Sequence, residues 1–227
     1  QEGTYKDGKL DGLWTDWYEN GQIYYEGNYT RGKQIGKWRW WLYDGNIEEE
    51  ILYDMGNILD KTVHTYVYWN NGNKSFVGSE KNGEKHGLWT WWYENGQKEQ
   101  EETYKDGKLD GLRTWWYENG QKKDKVTYKD GKRDGLSTDW YENGQKEREV
   151  SYKDGKLDGL LTNWYENGHK MEEAHWIDDK REGFLSLYYE NGKIKETQNY
   201  IGGELNGTVT NWYEKGEKQS EGHYKDG

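Results

Sequence analysis

Paired carboxylates recur through this chain: Asp106 and Asp110 stand four apart, and Asp154 and Asp158 repeat the spacing. Such a pair could act as a general acid and base, or hold calcium through its oxygens. Recurrence in four or more equivalent places argues against one reacting centre. Asp beside Gly is a turn residue whose side chain accepts bonds from nearby backbone N–H groups, so these carboxylates are assigned to turns. The five histidines, His64, His86, His169, His175 and His223, show no ligand spacing and read as solvated variants. No Gly-x-Ser-x-Gly, phosphate loop or dinucleotide fingerprint is present. Zero Cys excludes thiolate nucleophiles, thiolate metal sites and disulfides. The expectation is no catalytic residue, no metal ligand and no cofactor.

The remaining chemistry is aromatic. There are 15 Trp and 21 Tyr, whereas Leu, Ile, Val and Phe together number 31 of 227 residues. So low an aliphatic content with a net charge of -11 would ordinarily mean disorder, but disordered chains are poor in aromatics. The acidic balance disfavours nucleic acid and anionic lipid as main partners. No apolar run reaches ten residues, so no membrane-spanning helix is expected. A chain that starts at Gln1 without a signal peptide is expected to be a processed form or a fragment. The compartment stays open between secreted or cell-surface and cytoplasmic.

The elements that place these rings repeat. YKDGKLDGL occurs at Tyr5, Tyr104 and Tyr152, and WYENG at Trp17, Trp92, Trp116, Trp140 and Trp164. Units start near 5, 29, 53, 80, 104, 128, 152, 176 and 200, with a partial unit at 224–227. The step is 24 residues except for one of 27, which places a three-residue insertion within 57–71. The whole of 1–227 is one repeat array. Each unit carries Glu-Asn-Gly and Lys-Asp-Gly, both hairpin signals, and each is expected to form a three-residue loop with a left-handed Gly. Segments such as Leu13–Tyr18 and Leu112–Tyr117 are rich in aromatics and Thr, and Gly interrupts any helix. The fold expected is all-β: one long, twisted, elongated meander of antiparallel hairpins, with some 19 strands spanning on the order of 90 Å.

If Glu-Asn-Gly is the loop, Tyr18 opposes Gln22 and Trp17 opposes Ile23. One face then carries Leu13, Thr15, Trp17, Ile23 and Tyr29, and is expected to hold the structural ladder. Its aromatic column includes Trp17, Trp41, Trp92, Trp116, Trp140, Trp164 and Trp212, interleaved with Lys98, Lys122 and Lys146. A Lys stem covers apolar surface while its ammonium gains cation–π attraction over a ring. The opposite face varies along the array. Its Trp14, Trp38, Trp40, Trp89, Trp91, Arg113 and Trp115 form a strip expected to be solvated and to meet a partner. The acidic runs Glu48–Glu50 and Glu99–Glu102 read as a solvated face.

The pattern YKDGKLDGLWTxWYENGQ resembles the MORN repeat (membrane occupation and recognition nexus), and Glu84-Lys85-His86-Gly87 carries that family's His-Gly step. The spacing is most similar to the bacterial variant, whose members are often labelled antitoxin components. The resemblance covers essentially the whole chain and implies a twisted array of β-hairpins that serves protein interaction, in some members at membranes. The function expected is a non-enzymatic scaffold binding a protein partner or copies of itself, including end-to-end association through uncapped edge strands. Two alternatives remain: an aromatic-rich carbohydrate or cell-wall binding module, and a membrane recruitment module.

Overall fold

The computed structural model describes residues 1–225, in which 21 strands form one antiparallel sheet of successive hairpins without a helix. The chain falls into two compact units, Gln1–Glu94 with Tyr104–Gly107, and Asn95–Thr103 with Lys108–Gly227. The strand count exceeds the expected 19 because two strands are broken, into Glu84–Lys85 with Gly87–Trp92, and Glu204–Leu205 with Gly207–Trp212. The three-residue insertion lengthens a strand and no loop: Asn57–Tyr68 has 12 residues where Lys9–Trp17 has 9.

The two turn signals give different turns. At Glu-Asn-Gly, Tyr18 N–H donates to Gln22 O (2.8 Å), Gly21 N–H donates to Tyr18 O (3.0 Å), and Gly21 has φ +85. Asn20 Oδ1 accepts from Gln22 N–H at 3.0 Å, so the loop is a three-residue Asx-stabilised one, in the expected register. Lys-Asp-Gly departs from expectation. Lys6 pairs directly with Lys9, and both Asp7 (φ 51) and Gly8 (φ 76) are left-handed, the two-residue type I′ turn. The second Asp-Gly, in the repeats that carry one, is no turn at all. Between Val126 and Tyr128 the partner strand advances from Ser137 to Arg133, and Gly135 has φ 108 within this bulge.

These bulges decide which side chains share a face. A second one follows Glu-Asn-Gly, where Asp16 pairs with Tyr25 but Trp17 pairs with Ile23. It adds one residue between Ile23 and Tyr29 and so flips Tyr29 to the face of Trp14, away from the face expected for it. Tyr29 accordingly meets Trp38 edge-on at 4.9 Å between centroids. The core lies on this face, at the middle pair of each hairpin. In the second unit it runs Arg113, Val126, Ser137, Val150, Leu161, Ala174 and Leu185, each opposite the next. The aliphatic members are at most 5% exposed.

Four rows of bonds join successive hairpins of the second unit. There the Tyr of the WYENG segment donates its hydroxyl to a backbone carbonyl 23 residues on: Tyr117 to Trp140 (2.8 Å), Tyr141 to Trp164 (2.7 Å), Tyr165 to Tyr188 (2.9 Å). Burial pushes the hydroxyl pKa of Tyr117 and Tyr141 up, which keeps both protonated as donors. Asn95 and Asn119 likewise reach Glu118 O and Glu142 O at 3.1 and 3.2 Å. At the other end of the strands, Gly131 N–H donates to Leu109 O and Gly155 N–H to Arg133 O. Beside these, Asp110 and Asp134 accept from the backbone N–H of Asp130 and Asp154 at 3.2 and 3.1 Å. The recurring carboxylates therefore cap turns.

Replacing Tyr117, Tyr141 or Tyr165 by Phe removes one such hydroxyl and is expected to cost about 0.5–1.5 kcal/mol in chemical denaturation. Because each bond joins neighbouring hairpins, the triple variant should lose about the sum of the single losses. Unchanged midpoints would show that the row adds nothing.

Candidate interaction surfaces

The strip expected to meet a partner does not stand in solvent. Trp38 is 1% and Trp89 6% exposed, and Trp14, Trp40, Trp91, Arg113 and Trp115 are half-buried. Trp38 is enclosed by Tyr25, Tyr29, Trp40 and Tyr53, with ring centroids 4.9–6.3 Å away. The reason is a size match across strands. Gly27 lies beneath Trp38, and a Cβ at Gly27 would stand 2.1 Å from the indole; Gly78 and Trp89 repeat the arrangement. Only Gly lets the ring lie on the backbone of the preceding strand. Elsewhere Ala174 sits between Leu161 and Leu185. Variation along this column is thus compensated by its opposite column, which is the mark of packing.

Cations complete the core face. Lys85 Nζ lies 4.4, 5.3 and 4.8 Å from the ring centroids of Trp89, Trp91 and Tyr104. Arg181 lies between Trp176 (5.4 Å) and Tyr200 (5.5 Å). Arg113 bonds Asp124 at 3.2 Å and lies 5.5 Å from the Tyr128 ring. Asp139 stands directly opposite Asp124, and its carboxyl pKa is raised by burial first and by the Asp124 charge second. The acidic runs are not wholly solvated either: Glu102 is buried, and Glu50 pairs with Arg39 (2.9 Å) and Lys37 (3.3 Å). Burial works to raise the Glu50 pKa, but these two cations together hold it below its ordinary value. His64 Nδ1 is 2.7 Å from Ser79 Oγ, and its Nε2 is 3.9 Å from Glu50. The Glu50 carboxylate is already paired with Lys37 and Arg39, and no group of His, Asp and Glu among the described residues could hold a metal.

The opposite face carries the Trp and Lys columns. Lys98 lies 5.6 Å from the Trp116 ring, Lys122 5.9 Å from Trp140, and Lys146 5.5 Å from Trp164. Each Lys thus covers the ring of the next hairpin. Trp41, Trp92, Trp116, Trp140, Trp164 and Trp212 are half-buried, whereas Trp17, on the second strand from the start of the described chain, is 37% exposed. Further along the same strands runs a row that sequence reasoning placed within the ladder. Leu112, Leu136, Leu160 and Phe184 are 40, 50, 42 and 76% exposed. The signal was present in the sequence: an apolar residue follows each second Asp-Gly or Glu-Gly of that unit, but nothing large stands opposite it, only Thr127, Ser151, His175 and Asn199.

A family model described as the MORN repeat variant matches eight segments: 10–30, 34–55, 85–106, 109–130, 133–154, 157–178, 181–201 and 205–226. The gap between the second and third contains the lengthened strand Asn57–Tyr68. A search of curated proteins gives no match. Among solved structures, the chain is similar to one titled "Crystal Structure of TcdB2-TccC3-Cdc42", at 11% identity and a TM-score of 0.25. It is also similar to the Tc holotoxin pore of Photorhabdus luminescens carrying the mutation TccC3-D651A, at 12% identity and a TM-score of 0.26. In both cases 98% of this chain is covered, and the chain spans 16% of the length of the chain it matches.

Two substitutions test this geometry. Gly27→Val is expected to lower stability by about 1–3 kcal/mol through overpacking against Trp38, and Gly27→Val with Trp38→Leu to recover part of the loss in thermal melts. A loss that the second substitution leaves unrelieved would contradict the size match. Asp139 binds its proton more tightly in the folded than in the unfolded chain. Its ionisation therefore costs stability as pH rises through the raised folded value. Asp139→Asn should raise the melting temperature at pH 7, by an amount that shrinks towards pH 3; a gain that grows on acidification would reverse the sign.

Proposed function

Because the chain belongs to the MORN repeat family, in its variant form, and is a repeat scaffold, we propose that it acts by holding another protein against its sheet and not by catalysis. The observation that carries this reading is the exposed row Leu112, Leu136, Leu160 and Phe184, on the face away from the core. Scattered single apolar residues on a surface need no explanation, but four exposed at one repeat position on alternate strands do. The strip of Trp38 and Trp89 supplies packing, and buried rings offer no open face for stacking on a sugar. Self-assembly is the special case in which the partner is a second copy. A toxin–antitoxin role would be another special case, with the toxin as partner.

The test is a photo-crosslinking residue placed singly at Leu136, at Leu160 and, as a control, at Trp115, in the native source. The expected result is one adduct shared by the first two positions, and its loss when excess unlabelled chain competes. A competitor carrying Leu136→Ser, Leu160→Ser and Phe184→Ser should fail to displace it. Equal adducts at Trp115, or equal competition by that variant, would move the interaction off this row.

A further inference from the structure

We propose that the leucine row of the second unit binds an acidic, extended segment of a partner protein, in polyproline II conformation, with an apolar side chain at every third residue. This rests on the reading of that row as the interaction surface and specifies what lies on it.

Spacing selects the conformation. The row crosses alternate strands, so its members recur about every 9.6 Å. Three residues of polyproline II advance about 9.3 Å and return to the same side, whereas seven residues of α-helix advance about 10.5 Å. Over the three steps from Leu112 to Phe184 the extended segment drifts by about 0.9 Å and the helix by about 2.7 Å. The backbone adds a second criterion. On a sheet face the N–H and C=O groups are already used in the ladder, so the occupant must satisfy its own, and polyproline II leaves them in water. A flexible segment also follows the twist of about 20–25° per strand, which a straight helix cannot.

Charge selects the composition. By strand alternation, Lys129 and Lys132, and Lys153 and Lys156, lie beside the row on the same side. They are exposed and pair directly with each other across their turns. Like charges directly opposite destabilise a hairpin. Among the described residues, of these four only Lys156 holds an ion pair, with Asp178 at 3.2 Å. A chain of net charge -11 therefore keeps a line of facing cations along this apolar row. Acidic residues between the apolar ones of a bound segment would lie against that line. A flat anionic membrane is the poorer fit, because it would meet the remaining acidic surface as well. In the first unit the same repeat position holds Leu13 and Leu88, which are exposed, but Lys37 stands between them, so the unbroken run lies in the second.

The experiment is fluorescence anisotropy with the full chain and a labelled peptide of four Leu-Pro-Glu repeats. Comparators are a scrambled peptide of the same composition, an acidic helical peptide with Leu at every seventh residue, and phosphatidylserine-containing vesicles. The repeat peptide should bind, weaken with salt, and lose at least tenfold in affinity on Leu136→Ser with Leu160→Ser, and separately on Lys132→Glu with Lys156→Glu. These side chains are exposed, and circular dichroism verifies that the variants fold. Equal binding of the scrambled peptide overturns the proposal, as does absence of peptide binding. Stronger binding of the helix or of vesicles, abolished by the Leu substitutions, overturns the conformation and charge assigned here and leaves the interaction row standing. A dimer in sedimentation that Leu136→Ser dissolves, with no peptide bound, gives the row to a second copy and overturns the proposal. The crosslinks at Leu136 and Leu160 judge the row itself, independently of all these outcomes.

Discussion

A sheet with no second layer against it has to bury its core with its own side chains. The solution here is a column on one face in which large and small residues meet across strands. Gly27 lets Trp38 lie on the backbone, and Ala174 leaves room for Leu161 and Leu185. Each hairpin buries its middle pair only when the next hairpin is in place. Stability then resides in the junctions between hairpins, as in other repeat architectures. Everything else in the molecule follows from keeping those junctions in register.

The register is held at both ends of the strands. Tyr hydroxyls and Asn amides of one Glu-Asn-Gly loop reach the carbonyls of the next, and carboxylates such as Asp110 cap the following Lys-Asp-Gly turn. The residues that looked most like an acid–base pair are used to fix turn spacing. With core and latches accounted for, one face keeps a row of exposed apolar side chains that contributes little to either. A surface that costs solubility and gains no packing is where selection for a partner can act.

Much of this was legible from the repeat alone. The unit length, the hairpins, the pairing of Trp17 with position 23 and the Lys-over-Trp geometry all follow from recurring Gly-led turns and from alternation. The choice of core face did not follow, for a specific reason. Alternation counts residues, and one bulge per unit breaks the count by moving Tyr29 to the other face, whereas the other, at positions such as Gly135, adds two residues and keeps the parity. A single sequence shows a Gly but not whether it is a turn or a bulge. The second departure is that the variable strip expected in solvent has Trp38 and Trp89 buried. Trp38 and Leu161 differ because Gly27 and Ala174 differ beside them, and such compensation is visible only once the pairing is known.

The central claim is that adjacent residues on one strand divide between core and surface, with the core on the Trp38 and Leu161 side. Since the chain has no Cys, single cysteines can report on it without interference. Leu160→Cys, Leu161→Cys, Phe184→Cys and Leu185→Cys place one thiol each on alternating sides of two strands. Their rates of reaction with a maleimide, in the folded chain relative to the denatured one, measure protection directly. The account predicts rapid reaction at 160 and 184 and protection of about a hundredfold or more at 161 and 185, as expected where access needs opening of the core. Protection at 160 and 184 with free reaction at 161 and 185 would contradict it.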